Sequence, residues 1–395
     1  MENNKLAEYL DYCLTRLAEE IGPRPAGSRP NQMTAAFIGE EMKQAGYTVL
    51  EQKYPCPDWG LLSGELLVDG RKVSMVVNTH SPSVEIEAEL VPVSTPEDIQ
   101  KYDLSNRIAV LHGDLTTTAF MPKNFDRNIY ADEYKDRIIC LLEKSKPGAV
   151  VLVSHDQNDM PLPLIEDSDL DLPSVTVHRE EGPLLTENAG TTAKLKINTT
   201  RKDSTGANII GRFGKSEKKI MICAHYDTKH GTPGALDNAS GVAALLCLAE
   251  HLKELDLKYA LELVAFGGED SWFPGDALYT REYPPDNLEA TINLDGLGLK
   301  DVPTMMAVFN CPEELVSRIN KTTNNFGEYV QEHFYESNHG FFWPLGIPTL
   351  AFTSMESLES LGKVAHTKHD TPEVLDISLI EQTVKLVREI VGFWP

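Results

Sequence analysis

The sequence predicts an α/β fold: a mixed, mostly parallel central sheet flanked by helices, with a mainly β domain inserted into it. Four near-continuous apolar runs, KKIMICA, YALELVAFG, EATINLD and IPTLAFT, have the pattern of strands buried on both faces. Helical stretches alternate with them, which is the signature of an α/β sheet. From about residue 61 to 197 the texture changes to short β-rich pieces separated by polar loops, which predicts a compact insertion.

Taken in order, the first segment is helical, with Leu6, Leu10, Cys13, Leu14 and Leu17 on one face. IGPRPAGSRP then breaks regular structure with its prolines and glycines. A second helix is expected over roughly 31–45, stopped by Gly46, before a strand near YTVLEQ. The insertion offers GELLVDG, RIAVLHGD, GAVVLVS and LPSVTVH as strands and one helix around RIICLLEKSK. This divides the chain into a main domain, residues 1–60 and 198–395, and an inserted domain, 61–197. In the main domain, NASGVAALLCLAEHLKEL predicts a helix with Val242, Leu245, Leu246, Ala249 and Leu252 inward. The last helix, DISLIEQTVKLVREIV, has Asp376 as its cap and a stripe of Ile380, Val384, Val387 and Val391.

Bulk properties restrict the function. At 395 residues the chain is long for one core, in keeping with an insertion. A formal net charge of −24 argues against nucleic acid and against an anionic membrane surface, both of which select Lys and Arg. Most of the surplus carboxylates are expected to be solvated surface. The first twenty residues lack a basic stretch followed by an apolar one, so a signal peptide is not expected, and no apolar run approaches the length of a membrane span. Cys13, Cys56, Cys140, Cys223, Cys247 and Cys311 are scattered without CxxC pairs. That predicts a reduced, cytoplasmic protein with neither a disulfide framework nor a thiolate zinc site.

Polar residues collect where the strands end. KKIMICA runs into His225 and Asp227, YALELVAFG into Glu269 and Asp270, and EATINL into Asp295. Asp237 lies in the loop before the buried helix, and His366 follows IPTLAFT. Sites in such sheets form at the carboxyl ends of strands. Two imidazoles with carboxylates suit Zn²⁺ or another first-row divalent ion. Asp227, two residues after His225, is placed to accept a hydrogen bond from its second ring nitrogen. Five potential ligands exceed one tetrahedral zinc that keeps an open position, and fit two ions about 3.5–4 Å apart sharing a carboxylate.

HYDT, GALDNASGVAALL, GGED, NLDGLG and HTKHDTPE together resemble the co-catalytic zinc aminopeptidases, a family that includes bacterial leucyl aminopeptidases and, more distantly, glutamate carboxypeptidase and the transferrin receptor. IGPRPAGSRPNQMTAAFIGEEMKQAGY resembles the family's opening segment, and the insertion with LPSVTVHREEGPLL resembles its protease-associated domain. The resemblance implies two Zn²⁺ ions, with His225 and Asp295 on one, Asp270 and His366 on the other, and Asp237 bridging. It implies Glu269 as the general base of an exopeptidase that removes N-terminal residues from peptides or another small amide. His339, in SNHGFFWPLGIP, is implied as a substrate contact. Asp270 stands where relatives commonly carry Glu, Asn338 where Asp is more typical, and SWFPGDALY puts Trp272 and Phe273 near the mouth.

Other readings are weaker. Ser240 in NASGVA lacks the first glycine of a nucleophile elbow, and GRFGKS has Ile209 where a phosphate-binding loop needs glycine. A metal-free scaffold of the same fold should show broken ligand positions, which are intact here. A glutaminyl cyclase would use one zinc, and a carboxypeptidase would need arginines of which Arg281 is the only one between residues 225 and 300.

Overall fold

In the computed structural model, the described residues are 3–122, 132–156, 161–187, 190–272, 275–283, 285–327, 329–331, 334–354 and 363–395. Two compact units divide the chain: Met1–Cys56 with Ser204–Pro395, and Pro57–Asp203. The expected edges of the insertion, residues 61 and 197, fall inside the second unit.

In the first unit the four apolar runs form the middle of a sheet. Thr349–Thr353, Leu288–Leu294, Lys219–His225 and Ala260–Phe266 lie side by side and all run parallel. Antiparallel strands flank them: Thr304–Phe309 beside Thr349–Thr353, and the end of Thr192–Phe213 beside Ala260–Phe266. The sheet is therefore mixed and mostly parallel. Each central strand is apolar on both faces because both are covered. Ile220, Ile222 and Ala224 enter one core, while Met221 and Cys223 enter another with Phe266, Tyr279 and Phe342.

Helix Ser240–Leu252 fills the larger core, with only Glu250 not buried, and packs against helices Asn3–Leu14 and Ile377–Gly392. The stripes expected for those two helices are buried, and Asp376 caps the last one by accepting from Ser378 N at 2.9 Å. Ser28 caps helix Arg29–Gln44, which stops before Gly46 at φ +91°. Among the described residues, no helix is long and apolar enough to cross a membrane.

The second unit has its own sheet. Val84–Val93, Ile108–Leu111, Ala149–Val153 and Ser174–Val177 run parallel, with Met75–Val77 antiparallel at one edge. Helices Pro96–Lys101 and Glu133–Ser145 supply two of the crossovers. The unit holds more strand than helix, but its central strands are joined by crossovers, an arrangement the pattern of short β pieces did not predict.

Candidate metal centre

The parallel strands end at one edge of the first unit's sheet, and the residues singled out above meet there. His225 closes its strand directly opposite Phe266, three residues before Glu269. Asp295 follows Leu288–Leu294 and donates its N–H to Phe352 O at 3.0 Å on the neighbouring strand. Asp237 lies in the turn Ala235–Ala239, outside helical geometry (φ −118°, ψ 89°) and joined to Asn238 by a cis peptide. His366, at φ +63°, sits in the left-handed region in the loop after Thr349–Thr353.

Local chemistry fixes that turn. Asn238 Nδ2 donates to Leu294 O at 2.9 Å, and its Oδ1 accepts from Gly241 N (2.9 Å) and Gly296 N (3.2 Å). Ser240 Oγ donates to Leu236 O and accepts from Leu297 N, both at 2.8 Å. Ser240 is thus a helix-start residue rather than a nucleophile. Gly241 permits the approach, since a Cβ there would meet Leu294 O at 2.3 Å. In sum, NASG pins Asp237 beside Asp295.

Asp237 is the middle of the cluster. Its Oδ1 lies 3.0 Å from His225 Nε2, which is 3.3 Å from Asp295 Oδ1. Its Oδ2 lies 3.0 Å from His366 Nε2, which is 3.0 Å from Asp270 Oδ1. Each carboxylate oxygen therefore faces a separate His–Asp pair. Ligand atoms of His225, Asp237 and Asp270 all fall within 4.8 Å of one another, and all three residues are buried. Two ligands held about 2.0–2.1 Å from one tetrahedral zinc lie roughly 3.3 Å apart, so these spacings suit ligands that share an ion.

The electrostatics agree with that fit. Burial opposes charge on His225, yet Asp295, Asp227 and Asp237 raise its pKa well above the ordinary value. Burial likewise opposes charge on His366, but Asp270 and Asp237 push it up to about 10. Asp237, despite burial, is held below the usual carboxylate range by the two imidazoles. Asp270 is raised by burial and by the Asp237 charge. Its Oδ2 and His225 Nδ1 are buried without a hydrogen-bond partner among the described residues. Buried acids thus outnumber the protein's own cations, and a metal ion supplies what is missing.

Asp227 faces His225 without hydrogen-bonding it and anchors the neighbouring turn. Its Oδ1 is 3.6 Å from His225 Nδ1 and accepts from Glu269 N at 3.0 Å. Its Oδ2 accepts from Ser271 N (3.0 Å) and Ser271 Oγ (2.9 Å). The acid beside the first histidine therefore brackets the turn that carries Glu269, half-buried, and Asp270. Lys229 donates to Asp270 O and lies 4.9 Å over the Trp272 ring; Phe273 lies outside the described residues. His339, the implied substrate contact, is fully buried, with Nε2 2.9 Å from Phe334 O and Nδ1 3.4 Å from Asn293 Nδ2.

Sequence reasoning missed two residues. Arg24, fully buried, donates to Tyr226 O (2.7 Å), Leu17 O and Gly22 O (3.2 Å each), Pro233 O (2.7 Å) and Gly234 O (2.8 Å). Burial lowers its pKa to about 10 against the pull of Asp370, Asp227, Asp237 and Asp270. Asp370, also fully buried, accepts from Leu236 N and Asp237 N. A signal was present for each: an arginine among loop breakers, and an acid four residues after a proposed ligand.

Residues 208–391 match Peptidase family M28. Aminopeptidase YwaD of Bacillus subtilis is 28% identical over 305 residues, 74% of this chain, and the match spans 62% of that protein's length. Among solved structures, an aminopeptidase from Aneurinibacillus sp. strain AM-1 superposes with a TM-score of 0.78 at 23% identity, over 98% of this chain and 93% of that one. BSAP, a zinc aminopeptidase from Bacillus subtilis, gives 0.76 at 22% identity, over 98% and 94%. These two likenesses concern the fold. The segment that carries every residue of the His–Asp cluster is also the segment that matches peptidase family M28.

Proposed function

We propose that the chain is a zinc-dependent exopeptidase of the aminopeptidase type, acting on peptides or another small amide. The observation that carries this is the Asp237 carboxylate, with one oxygen toward His225 and Asp295 and the other toward His366 and Asp270. A histidine and an aspartate on each side of a shared carboxylate is a donor set for two ions. The likeness to aminopeptidases, among them a zinc aminopeptidase, supports zinc and the peptide substrate.

Zinc bound there supplies an activated water and polarises the scissile carbonyl. His225, Asp295, Asp270, His366 and Asp237 serve as ligands. Glu269 stays off the metal and accepts the proton of the attacking water on its carboxylate, then delivers it to the leaving amine nitrogen. Asp227 fixes the reach of Glu269 through the N–H of that residue. The net charge of −24 supports a partner that is neither nucleic acid nor anionic membrane, and six unpaired thiols support a reducing, cytoplasmic setting.

Glu269→Gln is expected to keep its metal and lose about 10²–10⁴-fold in turnover. The assay compares free-amine peptides with N-blocked ones, with and without chelator. Undiminished turnover in the variant removes Glu269 from the mechanism, and equal cleavage of blocked peptides removes the aminopeptidase reading.

A further inference from the structure

The loop from His366 to Asp370 reaches the centre twice. His366 touches Asp237 Oδ2 and Asp270 Oδ1. Four residues on, Asp370 turns one carboxylate oxygen to Leu236 N (2.5 Å) and the other to Asp237 N (3.1 Å). Its main-chain oxygen accepts from Ala235 N at 3.2 Å. Three consecutive N–H groups, residues 235 to 237, thus hang on one side chain and its own backbone.

Those N–H groups open the turn Ala235–Ala239, ahead of any carbonyl within it that could accept them. Asp370 is what satisfies them. Its position relative to His366 is fixed by a tight loop: Asp370 N donates to Thr367 O (3.3 Å), and Thr367 donates to Val364 O from N (3.2 Å) and from Oγ (2.7 Å). The backbone of the bridging residue is therefore tied, through a carboxylate, to the loop that carries another ligand. The opposite pair, His225 and Asp295, ends two adjacent strands, and its tie to the turn of Asp237 runs through Asn238 instead of Asp370.

We propose that Asp370 is a positioning residue: it sets the separation of Asp237 from His366, and so the geometry of the metal position these two share with Asp270. The proposal rests on the two-metal reading above. Both oxygens face N–H donors, so a carboxylate is required; an asparagine would turn its own NH₂ against one of them.

The test is a competition titration of zinc against a chromophoric chelator, using the full chain as wild type and as Asp370→Asn. Metal per protein and the melting temperature of the metal-free protein are read alongside. Wild type should take two zincs. The variant should keep one near wild-type affinity and bind the other about 10–100-fold more weakly, the range typical of lost outer partners. A merely structural role predicts a lower melting temperature with both steps weakened alike, and that result overturns the proposal. Two unchanged steps overturn it as well, while leaving the two-metal reading in place. A wild type that takes a single zinc removes that reading and the proposal with it. If Asp370→Asn does not fold, Asp370→Glu, which keeps both acceptors on a longer arm, should shift the same single step.

Discussion

Two buried clusters of charge occupy the same sheet, and they are built on opposite terms. Glu262, 1% exposed, lies within the strand Ala260–Phe266 and is met by Arg212 Nε and Lys219 Nζ, each at 2.6 Å, and by the Tyr279 hydroxyl. Burial pushes its pKa up, but Lys219, Tyr279 and Arg212 outweigh burial and hold it below the ordinary value. That cluster is complete within the protein. At the carboxyl end of the strands, His225 and His366 face four aspartates, and Asp270 Oδ2 is left without a partner. A closed cluster stabilises a fold; an open one with ligand spacing binds something. Both clusters are buried and charged, so burial and charge alone do not separate them.

The contrast can be broken from either side. Asp237→Ala removes the acid that both His–Asp pairs share, and metal binding should fall by more than the 10–100-fold expected for an outer partner. Zinc should then no longer raise the melting temperature, because a ligand stabilises only the state that binds it. An unchanged zinc-induced shift would show that Asp237 is no ligand. Glu262→Gln should do the reverse, leaving metal content and turnover per folded molecule intact. It strands Lys219 and Arg212, and urea unfolding should show a loss of about 3 kcal/mol, the low end for a broken buried pair because Arg212 is partly exposed. The smallest effect concerns pH. A carboxylate with a depressed folded-state pKa contributes stability above its unfolded pKa and loses it as pH falls through the folded value. Wild type should therefore lose stability in acid more steeply than Glu262→Gln, with the two slopes converging near neutral pH. Parallel slopes in acid would mean that the cluster does not depend on the Glu262 charge.

Much of this was legible in sequence because strand ends announce themselves. An apolar run that stops at His225 or Asp295 marks the sheet edge, and the five ligand positions follow from four such stops and one loop. The helix stripes were equally readable, since Leu10 and Val387 repeat at helical spacing into one core. Arg24 stood out among loop breakers, but its role was not readable. Its partners are carbonyl oxygens, which every residue carries, and three of them lie over 200 positions away. Asp370 reads as an ordinary loop acid until the peptide it holds is located. The motif around His339 gives its neighbours in sequence and not its hydrogen bonds to Phe334 and Asn293. The crossovers of the second unit stayed hidden because strands of four or five residues carry no mark of direction.

Arg24 also bears on how a catalytic piece of this chain is delimited. The family match begins at residue 208 and contains every proposed ligand, yet the guanidinium that joins Tyr226 to Pro233 and Gly234 comes from the other side of the inserted unit. A fragment cut at the boundary of the match would keep the chemistry and lose the fastener under its first loop. The family match occupies one stretch of this chain; mechanical integrity is written in two, with the second unit between them in sequence.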